Sequence, residues 1–82
     1  MTIQRKNEIP LAQLEEIAAI ASKLKALRLA KGLSIEKFCA RYEIQRITYS
    51  KIEQGQSGFQ ITTLMTILAA HQLDLKSFFD SL

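Results

Sequence analysis

Apolar positions recur at helical spacing along most of the chain. Leu11, Leu14, Ile17, Ala21, Leu24 and Leu27, with Arg28, follow at three- and four-residue steps and predict a helix from Pro10 to Lys31. Pro10 suits its first turn, and Gly32 ends it in a left-handed cap. A break near Ala21–Lys23 would divide so long a segment, although no Gly or Pro marks one. Ser34 is a good N-cap for a second helix, with Glu36 facing the positive end. Ile35, Phe38, Cys39 and Tyr42 fall on one side of it. Glu43-Ile44-Gln45 reads as a turn. A third helix runs from Gln45 to Gln54, closed by Gly55, with Tyr49 and Ile52 inward and Ile44 packed beneath as a staple. After a polar Gln56-Ser57-Gly58 loop, a fourth helix spans Ile61 to Gln72 and buries Ile61, Leu64, Ile67 and Leu68. Asp74 caps a last helix, Leu75 to Asp80.

No alternating strand pattern interrupts this series, so the fold class is all-α. Composition agrees: helix formers dominate, while Gly occurs 3 times and Pro once among 82 residues. The length fits a single domain near the lower limit of independent stability, which dimerisation would relieve. The net charge of +3 permits an anionic partner without demanding one. Its placement is more telling, because Lys37, Arg41, Arg46 and Lys51 lie in or beside the second and third helices. One cysteine rules out an internal disulfide and a cysteine metal cluster. The polar start carries no apolar signal region, and no apolar run is long enough to cross a bilayer. The expectation is a cytoplasmic protein with no membrane partner.

The third helix presents Gln45, Arg46, Ile47, Ser50 and Lys51 outward, a row that suits a DNA groove better than a core. Arg46 or Lys51 can grip a guanine edge, and Ile47 can pack on a thymine methyl. Ser50 completes the base-reading set. Backbone amides near Ser34, Ile35 and Glu36 suit a phosphate, and Lys37, Arg41 and Gln56 extend that set along the same side. Arg28 and Glu53 are charges placed where packing would favour apolar groups. Buried charges persist when paired, so the two are expected to form an ion pair that pins the third helix to the first. Cys39 reads as a small core residue. His71 reads as a partly buried residue near the end of the fourth helix, where a cation is tolerated. No carboxylate pair, Gly-rich phosphate loop or metal-ligand spacing is present. No enzyme activity, catalytic residue, metal or cofactor is expected.

Residues 20–79 resemble the Cro/C1-type (XRE-like) helix-turn-helix domain of bacterial and phage repressors. The resemblance rests on Leu27-Arg28, Lys31-Gly32-Leu33-Ser34, Phe38-Cys39, Ile44, Ile52-Glu53-Gln54-Gly55, Thr63-Leu64, and Leu73-Asp74-Leu75 with Phe78-Phe79. It implies a five-helix, lambda-repressor-like bundle over residues 20–82, with an N-terminal helical extension over residues 1–19. It also implies a homodimer that inserts its third helix into the major groove of double-stranded DNA. By position the resemblance makes Arg46, Ile47 and Lys51 the base readers. It turns Gln45, Gln54 and the backbone from Gly55 to Ser57 toward phosphates. The chain departs from the family pattern at Ile35, Glu43, Gln45 and Phe59, which replace a Gln, a turn Gly, a Ser or Thr cap and a Pro.

The extension carries Leu11, Leu14, Ile17 and Ala18, a stripe with no place in a five-helix core. It is expected to lengthen the first helix or add one, and to contribute to self-association; the alternative is that it folds back on its own domain. Phe79 and Leu82 are a second candidate surface. Three functions remain open: a dimeric transcription regulator and repressor, an antitoxin that also grips a protein through residues 8–21, and a protein-interaction module without DNA reading.

Overall fold

The computed structural model describes residues 10–56 and 59–82. Among them are five helices and no strand: α1 (Leu11–Ala30), α2 (Ile35–Tyr42), α3 (Arg46–Glu53), α4 (Ile61–Ala70) and α5 (Leu75–Asp80). The first helix runs through Ala21–Lys23 without a break. Lys31 and Gly32 close it by donating to the carbonyls of Arg28 and Leu29, with Gly32 at φ +72.

Helix α2 begins as the sequence suggests. Ser34 is extended, and its hydroxyl accepts from the Lys37 N–H at 3.2 Å. Such a cap contributes about 1 kcal/mol. The helix ends at Glu43, which lies in the left-handed region at φ 56 and ψ 44. A non-glycine residue there is strained by roughly 1–2 kcal/mol. The reversal holds because the Glu43 and Ile44 N–H groups both donate to the Cys39 carbonyl. Gln45 is extended again, and α3 starts one residue later. The three residues of this turn therefore set the angle between α2 and α3.

Each helix contributes to one core: Leu24 from α1, Phe38 and Cys39 from α2, Tyr49 and Ile52 from α3, Leu64, Ile67 and Leu68 from α4, and Phe78 from α5. Phe38 stands at its centre, with ring centroids of Tyr42, Tyr49 and His71 at 5.0, 5.1 and 5.1 Å. Helix α3 packs against both α1 and α2, while α5 packs against α4. Asp74 caps α5 by accepting from the Ser77 N–H at 2.8 Å.

Two sequence expectations need correction. Ile61 is 53% exposed and does not join the buried stripe of α4. It keeps helical register with Leu64 and Leu68 but occupies the first turn, at the margin of the core. Helix α4 also stops at Ala70, because Gln72 turns left-handed at φ 58.

His71, just past that stop, is not placed as a cation. Its ring stacks on Phe38 at an interplanar angle of 17°. Its Nε2 is buried with no hydrogen-bond partner among the described residues. Burial, with a smaller push from Lys31, holds its pKa below the ordinary 6.5. A histidine with a depressed folded pKa contributes full stability above its unfolded pKa. That contribution is lost as pH falls from about 6.5 toward the lower folded value. The urea midpoint is therefore expected to drop between pH 7.5 and pH 5.5, and His71→Leu should remove that component. An unchanged midpoint in the native chain would show that the imidazole titrates freely.

Candidate nucleic-acid interface

Helix α3 has one turned-in and one turned-out side. Tyr49 and Ile52 are buried, while Arg46, Ile47 and Lys51 face solvent, Ile47 at 66% exposure. Arg46, Ile47, Ser50, Lys51, Gln54 and Gln56 line an open concavity of about 340 Å³. No other described element covers this side. An arginine, a lysine and a branched apolar side chain thus stand together on a short rod. They match the chemical types that read guanine edges and thymine methyls.

The polar side chains around this face are wired to one another. Gln54 Nε2 donates to Ser50 Oγ at 3.0 Å, and Gln56 Nε2 donates to Gln54 Oε1 at 3.0 Å. Ser50 is half-buried. Its hydroxyl proton remains free to donate outward while its oxygen accepts. At the other end of α3, Gln45 Oε1 accepts from Thr48 Oγ1 at 2.7 Å. The Gln45 side chain does not cap the helix; its amide group remains a donor. Thr48 escaped the sequence reading, as did the Gln56–Gln54–Ser50 relay. For Gln45–Thr48 and Ser50–Gln54 the available signal was the three- and four-residue spacing of polar side chains along a helix, whereas Gln56, two residues after Gln54 and past the end of α3, carried none.

Helix α2 flanks the same region. Lys37 and Arg41 are exposed and one turn apart. Ile35 turns its side chain toward the core, so only its backbone N–H can meet an outside group. The Lys37 N–H is taken by Ser34. Ser57 lies outside the described residues.

The brace beneath α3 is an ion pair between Arg28 and Glu53. Arg28 Nε donates to Glu53 Oε2 at 2.9 Å, and Nη2 to Oε1 at 2.7 Å. The two side chains are 8% and 4% exposed. Arg28 Nη1 also donates to the Leu33 carbonyl at 2.7 Å, so one guanidinium joins α1, the loop before α2 and the end of α3. This two-point pairing raises the Arg28 pKa. Burial opposes ionisation of Glu53, yet the hydrogen bonds from Arg28 outweigh it and hold the carboxyl below its ordinary range. The hydroxyl of Tyr49 is buried with no hydrogen-bond partner among the described residues, and that burial pushes its pKa upward. The outward face of α3 is thus held by a rigid base rather than by its own few turns.

No helix among the described residues is long and apolar enough to cross a membrane. The described residues contain no cluster of three or more candidate metal ligands. Neither the curated proteins nor the solved structures contain a match to the chain. A family model described as helix-turn-helix does match, over residues 24–78. That span runs from the core of α1 to the core of α5. It takes in the ion pair, the turn at Glu43 and the whole of α3. The all-helical order, the tight turn and a match over more than half of the chain place it in the Cro/C1-type helix-turn-helix family of DNA-binding regulators, with a lambda-repressor-like fold.

Proposed function

We propose that the chain is a sequence-specific transcription regulator that binds double-stranded DNA as a homodimer, with α3 in the major groove. The observation that carries this reading is the uncovered outer side of α3, where Arg46, Ile47 and Lys51 stand on a buried ion-pair brace. In this reading Arg46, Ile47, Ser50 and Lys51 read base edges. Lys37, Arg41, Gln45, Gln54, Gln56 and Ser57, with the backbone at Ser34 and Ile35, meet phosphates. Phosphate contacts fix register, and base contacts supply the sequence preference.

The test is the salt dependence of binding to duplex DNA. Each neutralised phosphate releases condensed counterions, so affinity falls steeply with salt. Lys37→Ala should weaken binding on every sequence alike and reduce the salt slope by about 1. An affinity independent of salt would remove the DNA reading altogether.

One observation favours a second reading, in which the same fold also grips a different protein through residues 8–21. Leu11 and Leu14 are exposed at the far end of α1. A stoichiometric protein that co-purifies and is lost on Leu14→Glu would support it, as an antitoxin requires.

A further inference from the structure

Helix α1 is longer than the bundle uses. Its buried residues, Ala21, Leu24 and Arg28, all lie in its second half. At about 100° per residue, a different side of the same helix is lined by Leu11, Glu15, Ala18, Ser22, Lys25 and Leu29. All six are exposed, with Leu11 at 71% and Leu29 at 56%. Their steps of four, three, four, three and four residues are those of a two-helix seam. No salt bridge among the described residues uses Glu15 or Lys25.

The order of types along this seam is informative. From its N-terminal end it reads apolar, acidic, small, small, basic, apolar. Turned end for end, it matches itself in size and opposes itself in charge. A parallel pairing would set Glu15 on Glu15 and Lys25 on Lys25. An antiparallel pairing centred between Ala18 and Ser22 sets Leu11 on Leu29, Glu15 on Lys25 and Ala18 on Ser22, each pair occurring twice. Small residues at the centre let the axes approach closely, and opposite charges on either side fix direction and register.

We propose that α1 is the self-association surface, pairing antiparallel with α1 of a second copy of this chain through these six residues. The inference rests on the homodimer of the proposed function and names its interface. Leu14, which lies between this seam and the bundle-facing side, then points toward the second copy's domain.

The test is the molar mass of the full chain across a concentration series, by sedimentation without DNA. A dimer is expected. Glu15→Lys and Lys25→Glu should each raise its dissociation constant several-fold, because each replaces two attractive pairs with two repulsive ones. The two substitutions combined should restore it. Leu29→Glu should raise it by about tenfold or more, since two apolar contacts are lost. These positions are exposed, so the helical circular dichroism should stay unchanged; because Lys25 also favours the Glu53 carboxylate, the urea midpoint of Lys25→Glu is measured alongside to show that the variant is folded. A dimer insensitive to both single charge changes would overturn the α1 interface while leaving the homodimer standing. Weakening by each single change without rescue by the pair would overturn the antiparallel register. A monomer at every concentration would overturn both the interface and the homodimer, while DNA reading by α3 would be judged separately by its salt dependence.

Discussion

Glu53→Ala is expected to lower folding stability by roughly 3–5 kcal/mol, because it leaves the Arg28 guanidinium buried without its counter-charge. That is a large part of the total for a domain this small, so much of the variant should unfold at temperatures where the native chain is intact. The effect follows from geometry. Arg28 is 6% exposed, and two of its three hydrogen bonds go to Glu53. Removing both charges together, as in Arg28→Met with Glu53→Leu, should recover most of the loss, since replacing a buried pair with apolar groups is often neutral. Glu53 also gives an acid signature. Its folded pKa is lowered, so its stabilisation is complete above the ordinary carboxylate pKa of 4.5 and disappears as pH falls through the lower folded value. That loss begins below the ordinary carboxylate pKa of 4.5, whereas the one assigned to His71 begins below the ordinary 6.5. Urea unfolding measures both effects, and a Glu53→Ala midpoint equal to the native one would contradict the brace.

The second large effect concerns Arg46. Arg46→Ala should cost about 1–3 kcal/mol of binding to the preferred site and relax preference at one base pair. Arg46 is exposed in the first turn of α3, beside Ile47 and in the same concavity as Lys51. Its side chain is exposed and outside the core, so the variant should still fold. Titration of a panel of duplexes, each altered at one base pair, separates the two roles an arginine can take. A loss confined to one position marks a base reader. An equal loss on every duplex would make Arg46 a phosphate contact and leave base reading to Ile47, Ser50 and Lys51.

The helical frame was legible because its signals are local. Gly32, Ser34, Gly55 and Asp74 punctuate the chain where left-handed caps and side-chain caps are needed, and the structure uses each of them. The outward row on α3 could be read from the pairing of Tyr49 and Ile52 on the opposite side. What escaped depends on neighbours that periodicity does not contain. Ile61 keeps the register of Leu64 but sits at the core margin, and a helical wheel is blind to where a helix overhangs its neighbours. The burial of His71, which lowers its pKa, involves Phe38, far away in sequence and stacked on its ring in the fold. Glu43 replaces an expected glycine and still adopts φ 56. The backbone bonds from Glu43 and Ile44 to the Cys39 carbonyl, together with the packing of Ile44 against the core, override its own preference. The relay from Gln56 through Gln54 to Ser50 needs particular rotamers, which spacing alone does not specify.

The most direct test of the account is selection of bound duplexes from a random DNA pool by the full chain. The expected result is enrichment of a two-fold symmetric site whose half-sites lie one helical turn, roughly 34 Å, apart. Recovery of a pool with no enriched sequence, under conditions where the chain is folded, would contradict the placement of α3 in the groove.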